Sequence, residues 1–256
     1  MGKIITVYNQ KGGVTKTSFV LNVGAILADK GYKTLVIDLD MQANLTAGIG
    51  LLEYEYTSFN VLTDKKFDIN RAIYETNYQN LSIIPSNIEL SKADTILNTT
   101  IGREVLLRRR LESIKDDYDF IVVDTGPTLN LLAVNALTAA DYLIIPLIPQ
   151  YFSIIGLKDI INTYEEVRDN LNEDLRLLGI TLSMLDKRIK IGMETKKLLD
   201  DNFKGIVFNT NISTDTQVIY SQDSRTPLIH FNKNSKALND YINLTDEILR
   251  RINNGK

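Results

Sequence analysis

Cysteine is absent from the 256 residues. That excludes a disulfide framework, a thiolate zinc site and a cysteine-ligated iron–sulfur cluster. Histidine occurs once, at His230, which excludes a histidine-rich metal site as well. No apolar run approaches the roughly 20 residues that a bilayer-spanning helix needs. No linker, low-complexity tract or repeat interrupts the chain, and its first residues lead straight into a strand pattern. No signal peptide is therefore expected, and the expected compartment is the cytoplasm. A net charge of −3 gives no global sign of nucleic-acid binding, so any such contact needs a local patch.

What is present is an end-to-end alternation of apolar strands and helical patterns. Strands are predicted at 1–8, 33–38, 81–85, 118–124, 141–146, within 175–185 and at 205–208. Helices are predicted at 17–30, 58–62, 69–74, 88–97, 103–114, 129–139, 154–171, 193–202, 214–221 and 235–251. The alternation implies an α/β fold read as a single domain over 1–256, a mostly parallel twisted sheet with helices on both faces.

Between the first strand and the first helix lies Asn9-Gln10-Lys11-Gly12-Gly13-Val14-Thr15-Lys16-Thr17-Ser18. A strand, a glycine-bearing turn and a helix start form a phosphate cradle. Backbone N–H groups point inward, and the helix N-terminus adds roughly half a positive charge. Lys16 reaches the outer phosphates and the Thr17 hydroxyl ligates Mg²⁺. The common P-loop glycines are replaced by Gln10 and Thr15, and the stretch fits the variant Lys-Gly-Gly-x-x-Lys-Thr with the extra Lys11. The plain alternative is a Gly-Gly turn with two surface lysines.

The second strand ends in Asp38-Leu39-Asp40-Met41-Gln42, at the sheet edge where open α/β folds bind ligands. Asp38 and Asp40 share strand parity. They read either as helix-capping aspartates or as groups near Mg²⁺ or an attacking water. Ile121-Val122-Val123-Asp124 has the Walker B arrangement, apolar residues and then a carboxylate that holds the metal's water shell. Thr125-Gly126-Pro127 follows as a turn near the γ-phosphate. Arg108-Arg109-Arg110 reads as a solvated helix face.

The stretch Lys11 to Thr17, Asp38 to Gln42 and Ile121 to Asp124 together resemble the ParA/MinD superfamily of deviant-Walker ATPases. The finer match is to its ParA/Soj partitioning branch, through Asn135-Ala136-Leu137-Thr138-Ala139, Tyr151-Phe152-Ser153 with Gly156-Leu157, and Leu182-Ser183-Met184-Leu185-Asp186-Lys187-Arg188. The resemblance implies a P-loop NTPase-like domain that uses ATP and Mg²⁺. It implies an ATP-bound homodimer that binds non-specific duplex DNA on the nucleoid, with hydrolysis stimulated by a ParB-type adaptor. By position, Lys11 is the lysine that crosses to the partner's phosphates, and Lys16 is the cis lysine. Gly12, Gly13, Val14, Thr15, Lys16, Thr17 and Ser18 hold the nucleotide. Thr17 and, through water, Asp124 hold the metal, with Asp38 beside them. Asp40 orients the attacking water. Arg188 matches a DNA-contacting arginine, flanked by Lys187 and Lys190, and Arg250, Arg251 and Lys256 extend that patch.

Departures from the family pattern carry their own expectations. Thr15, where glycine is usual, is expected to be helical and so unstrained. Met41 in place of proline loosens its loop, and Gly126 stands where proline is usual. The region 213–218 offers Gln217 where the family has a second basic residue. The absence of an extension before the first strand implies no autorepressor role. Two readings compete: a MinD-like membrane-cycling ATPase using a C-terminal amphipathic helix, and a nucleotide-binding scaffold without turnover. No membrane contact is expected, because the tail 248–256 is short and ends polar.

Overall fold

The computed structural model describes residues 2–186 and 190–255. In chain order the elements are β1 (Lys3–Val7), α1 (Lys16–Asp29), β2 (Thr34–Leu39), α2 (Asn44–Gly48), α3 (Ser58–Thr63), β3 (Tyr74–Glu75), β4 (Leu81–Ile84), α4 (Ala93–Leu97), α5 (Leu106–Leu111), β5 (Phe120–Thr125) and α6 (Leu131–Ala139). There follow β6 (Tyr142–Leu147), α7 (Tyr151–Asn170), β7 (Arg176–Leu182), α8 (Lys190–Asn202), α9 (Thr216–Asp223), α10 (Leu228–Phe231) and α11 (Lys236–Asn253). The seven strands form one sheet in the order β3-β4-β2-β5-β1-β6-β7. Every pairing is parallel except β3 with β4.

A strand between two helical layers must bury both faces, which explains its near-continuous apolar runs. Side-chain alternation divides each strand between the layers. Ile121 and Val123 of β5 face α3 to α8, whereas Phe120 and Val122 face α1, α10 and α11. The sheet grows from β1 toward β5 on one side and toward β6 on the other. Such a reversal opens a crevice at the carboxyl ends of the strands. The loops after β1, β2 and β5 meet there.

Several element boundaries differ from the sequence reading. The pattern at 88–97 splits into a 3₁₀ turn, Ile88–Lys92, and α4. Likewise 103–114 splits into a turn and α5, which stops at Leu111. The strand expected at 205–208 is a single bridge between Val207 and Ile180. Ile206 accepts the Ile180 amide and Phe208 donates to the Ile180 carbonyl, while the Arg251 guanidinium also takes the carbonyls of Ile206 and Val207. The short elements α2, β3 and α10 have too few residues to show a period.

The apolar stripe of α11, with Leu238, Tyr241, Leu244 and Ile248, is buried in the same layer as α1. Among the described residues, no helix is long and apolar enough to cross a membrane.

Candidate active site

The loop after β1 is anchored at its base by Asn9. The buried Asn9 side chain donates to the Pro146 carbonyl (2.7 Å) and accepts the Lys11 amide (2.9 Å). Gly13 sits at φ +73°, a conformation that favours glycine. Val14 is buried beneath the loop. Thr15 is left-handed, with φ 68° and ψ 18°, which corrects the expectation that it would be helical. The turn reaches the helix axis only through this residue. Its carbonyl starts α1 by accepting the Phe19 amide at 2.8 Å, while its buried Oγ1 has no partner.

Lys16 is buried to 7% exposure. Its Nζ donates back to the Lys11 carbonyl at 3.2 Å. Burial lowers its pKa, and the carboxylates of Asp124 and Asp40 oppose that shift. Lys11 itself is exposed, and its Nζ donates to Gln150 Oε1 at 2.7 Å. Ser18 Oγ accepts from Gln222 Nε2 at 2.6 Å, which ties α9 to the start of α1.

Asp38 and Asp124 stand opposite each other in the β2–β5 register, both fully buried. Their environments differ. Asp38 Oδ1 accepts the Asp40 amide (3.0 Å), and Oδ2 accepts the amide and hydroxyl of Thr46 (2.9 and 2.8 Å). Burial pushes Asp38 up to about 6, against the pull of these donors. Among the described residues, neither oxygen of Asp124 has a hydrogen-bond partner. The Thr17 hydroxyl lies near enough to favour its charged form but falls short of a proper hydrogen bond. Burial first, and the Asp38 charge second, hold Asp124 well above the usual carboxylate range. A buried carboxylate without donors, beside a P-loop threonine and lysine, is a place prepared for a cation.

Asp40 accepts the Gln42 amide at 3.0 Å. A Cβ added at Gly126 would lie 3.7 Å from its carboxyl carbon, so a side chain there would rest on this carboxylate. The residues enclose a cavity of about 670 Å³ lined by Gly12 to Ser18, Asp40, Met41, Pro127, Met184 and Gln222. A cavity of about 560 Å³ at the opposite sheet edge, among Lys33, Tyr78, Asn80 and Tyr118, has no glycine-rich turn behind it. Among the described residues, no group of three His, Asp or Glu side chains converges as a ready-made metal cluster.

Of the expected DNA patch, the structure describes Lys190, Arg250 and Arg251. Lys187 and Arg188 lie outside the described residues, as does Lys256. Lys190 opens α8, exposed and 3.4 Å from Glu194. Arg250 is exposed, but Arg251 is buried in bonds to the carbonyls of Leu178, Ile206 and Val207 and to Glu247, so it does not extend the patch. Gln217 accepts from Asn232 at 2.7 Å. Of Arg108 to Arg110, the last is structural, donating to the carbonyls of Val61, Asp64 and Phe67. The sequence reading gave no role to Asn9, Thr46, Met184 or Gln222, although Asn9 opens the quoted phosphate-loop stretch and Met184 lies in the quoted motif at 182–188.

A family model described as an AAA domain matches residues 2–177. The chain is 38% identical over 250 residues to the sporulation initiation inhibitor protein Soj of Bacillus subtilis, spanning 97% of this chain and 98% of that protein. It is 37% identical over 251 residues to the chromosome-partitioning ATPase Soj of Treponema pallidum, spanning 98% of each. Its fold is similar to that of cobyrinic acid a,c-diamide synthase from Mycobacterium smegmatis, solved with bound ADP and magnesium. That match has a TM-score of 0.87 and 29% identity, over 100% of this chain and 97% of the other.

Proposed function

The chain belongs to the Soj/ParA family of P-loop ATPases, and from that membership we infer that it is a Mg²⁺-dependent ATPase that partitions DNA. The observation that carries this reading is the unpartnered Asp124 carboxylate beside Thr17 and Lys16, beneath a glycine-bearing cradle. The amides of the loop and the first turn of α1 hold the phosphates of ATP. Lys16 leaves the Lys11 carbonyl for the phosphate oxygens, exchanging a neutral acceptor for charged ones. Thr17 and, through water, Asp124 would hold Mg²⁺, which neutralises charge on the phosphates when bound.

Asp40 orients a water for in-line attack on the γ-phosphorus; the bond to the leaving ADP oxygen breaks as the new P–O bond forms. Lys11, exposed at the rim, is released from Gln150 when two ATP-bound copies meet face to face. It then reaches the partner's phosphates, where developing charge is greatest. The ATP-bound homodimer holds non-specific duplex DNA through Arg188, Lys187 and Lys190. A ParB-type adaptor triggers hydrolysis and release. The site of action is the cytoplasm, at the nucleoid.

The test is binding to non-specific duplex DNA at low salt with a slowly hydrolysed ATP analogue, with ADP and without nucleotide, with Arg188→Ala alongside. Binding confined to the ATP state, weakened by salt and by the substitution, is expected. Equal binding in all three states, or none, overturns the partitioning reading.

A further inference from the structure

Asp40 sits at the start of a loop that carries Ala43 at φ 53°. The loop is staked at both ends by one buried carboxylate. Asp38 Oδ1 takes the Asp40 amide at its start. Asp38 Oδ2 takes the Thr46 amide and hydroxyl at its far end. The Thr46 hydroxyl is itself the acceptor of the Ser86 amide at 3.0 Å, at the carboxyl end of β4. Asp38, Thr46 and Ser86 are 0%, 2% and 0% exposed. Water therefore does not compete for these bonds, and removing the hydroxyl leaves the buried Ser86 amide without its acceptor and takes one of the three donors from Asp38.

The two neighbouring aspartates thus divide the work. Among the described residues Asp124 accepts no hydrogen bond, with the Thr17 hydroxyl beside it, whereas Asp38 has three donors pointing at it. We propose that Thr46, acting through Asp38 and braced by the Ser86 amide, is the positioning residue that fixes the Asp40 carboxylate for attack on the γ-phosphate. Asp38 is then the anchor of the catalytic loop and not a ligand of the metal. This rests on the reading of Asp40 as the group that orients water. A carboxylate that wanders by an ångström loses most of its effect on the rate.

The experiment compares full-length Thr46→Val, Thr46→Ser and Asp40→Ala with the parent in steady-state ATPase assays, titrating ATP and Mg²⁺ separately. Calorimetric ATP binding reports whether each site is folded, and Thr46→Ala replaces the valine variant if that does not fold. Thr46→Val is expected to lower kcat about tenfold or more while KM for ATP and the half-saturating Mg²⁺ stay within about twofold, and Thr46→Ser to stay close to the parent. An unchanged kcat in Thr46→Val beside a slow Asp40→Ala overturns the proposal alone. A loss that appears as weaker Mg²⁺ binding also overturns it, because Asp38 would then serve the metal. Parent-like turnover in Asp40→Ala overturns both the reading of Asp40 and the proposal.

Discussion

Thr15 holds a β-branched side chain at a backbone angle that favours glycine, with its hydroxyl buried and unpartnered. The left-handed conformation costs about 1–2 kcal/mol, and the orphaned hydroxyl adds about 1 kcal/mol or more. Glycine would relieve both and give back about 1 kcal/mol in unfolded-chain entropy. Thr15→Gly should therefore stabilise the nucleotide-free protein by about 1 kcal/mol in urea unfolding; a lower midpoint would mean that the hydroxyl is satisfied. Asp124 makes a similar case by charge. Its carboxyl is raised on folding, so stability is greatest below the unfolded pKa near 4 and falls as pH rises toward the folded value. Asp124→Asn removes that cost. It should raise the nucleotide-free unfolding free energy at neutral pH by roughly 1–3 kcal/mol while abolishing Mg²⁺-dependent phosphate release. Loss of stability together with activity would show that the carboxylate is a structural acceptor.

At the scale of the element, α11 shows how two adjacent arginines part ways. Arg251 continues the buried stripe of Tyr241, Leu244 and Ile248, while Arg250 faces water. Arg251 lies 4.1 Å over the Phe208 ring and ties α11 to β7 and to the segment behind it. Gly179 makes the room, since a Cβ there would lie 2.5 Å from Phe208 and 2.8 Å from Arg251. Arg251→Ala should cost roughly 3–5 kcal/mol in thermal unfolding, and Arg250→Ala no more than about 0.5. Equal effects would refute the division. The helical period along α11 already separates the two residues, so this correction was legible in the sequence. The conformation of Thr15 was not, because no local pattern distinguishes a helical from a left-handed entry to α1. Nor was the Thr46 relay, whose members are brought together from β2, α2 and the end of β4 by strand pairing.

At the scale of the whole molecule, the α/β alternation and the crevice were legible because parallel strands buried on both faces leave long apolar runs, with chemistry at their carboxyl ends. Asp38, Asp40 and Asp124 all stand where strand ends placed them. What escaped were elements of a few residues and contacts set by distant segments. The two margins of the sheet bear on a different matter, colloidal behaviour. One margin is the two-residue antiparallel β3. The other, β7, is shielded by the segment that follows it, through the bridge of Ile180 to Val207 and the Ile212 amide on the Leu182 carbonyl, and by Arg251 on the Leu178 carbonyl. Neither margin offers a long row of free amides on which another chain could crystallise as an added strand. Two copies of the chain are thereby kept from the irreversible kind of encounter, the growth of a fibril.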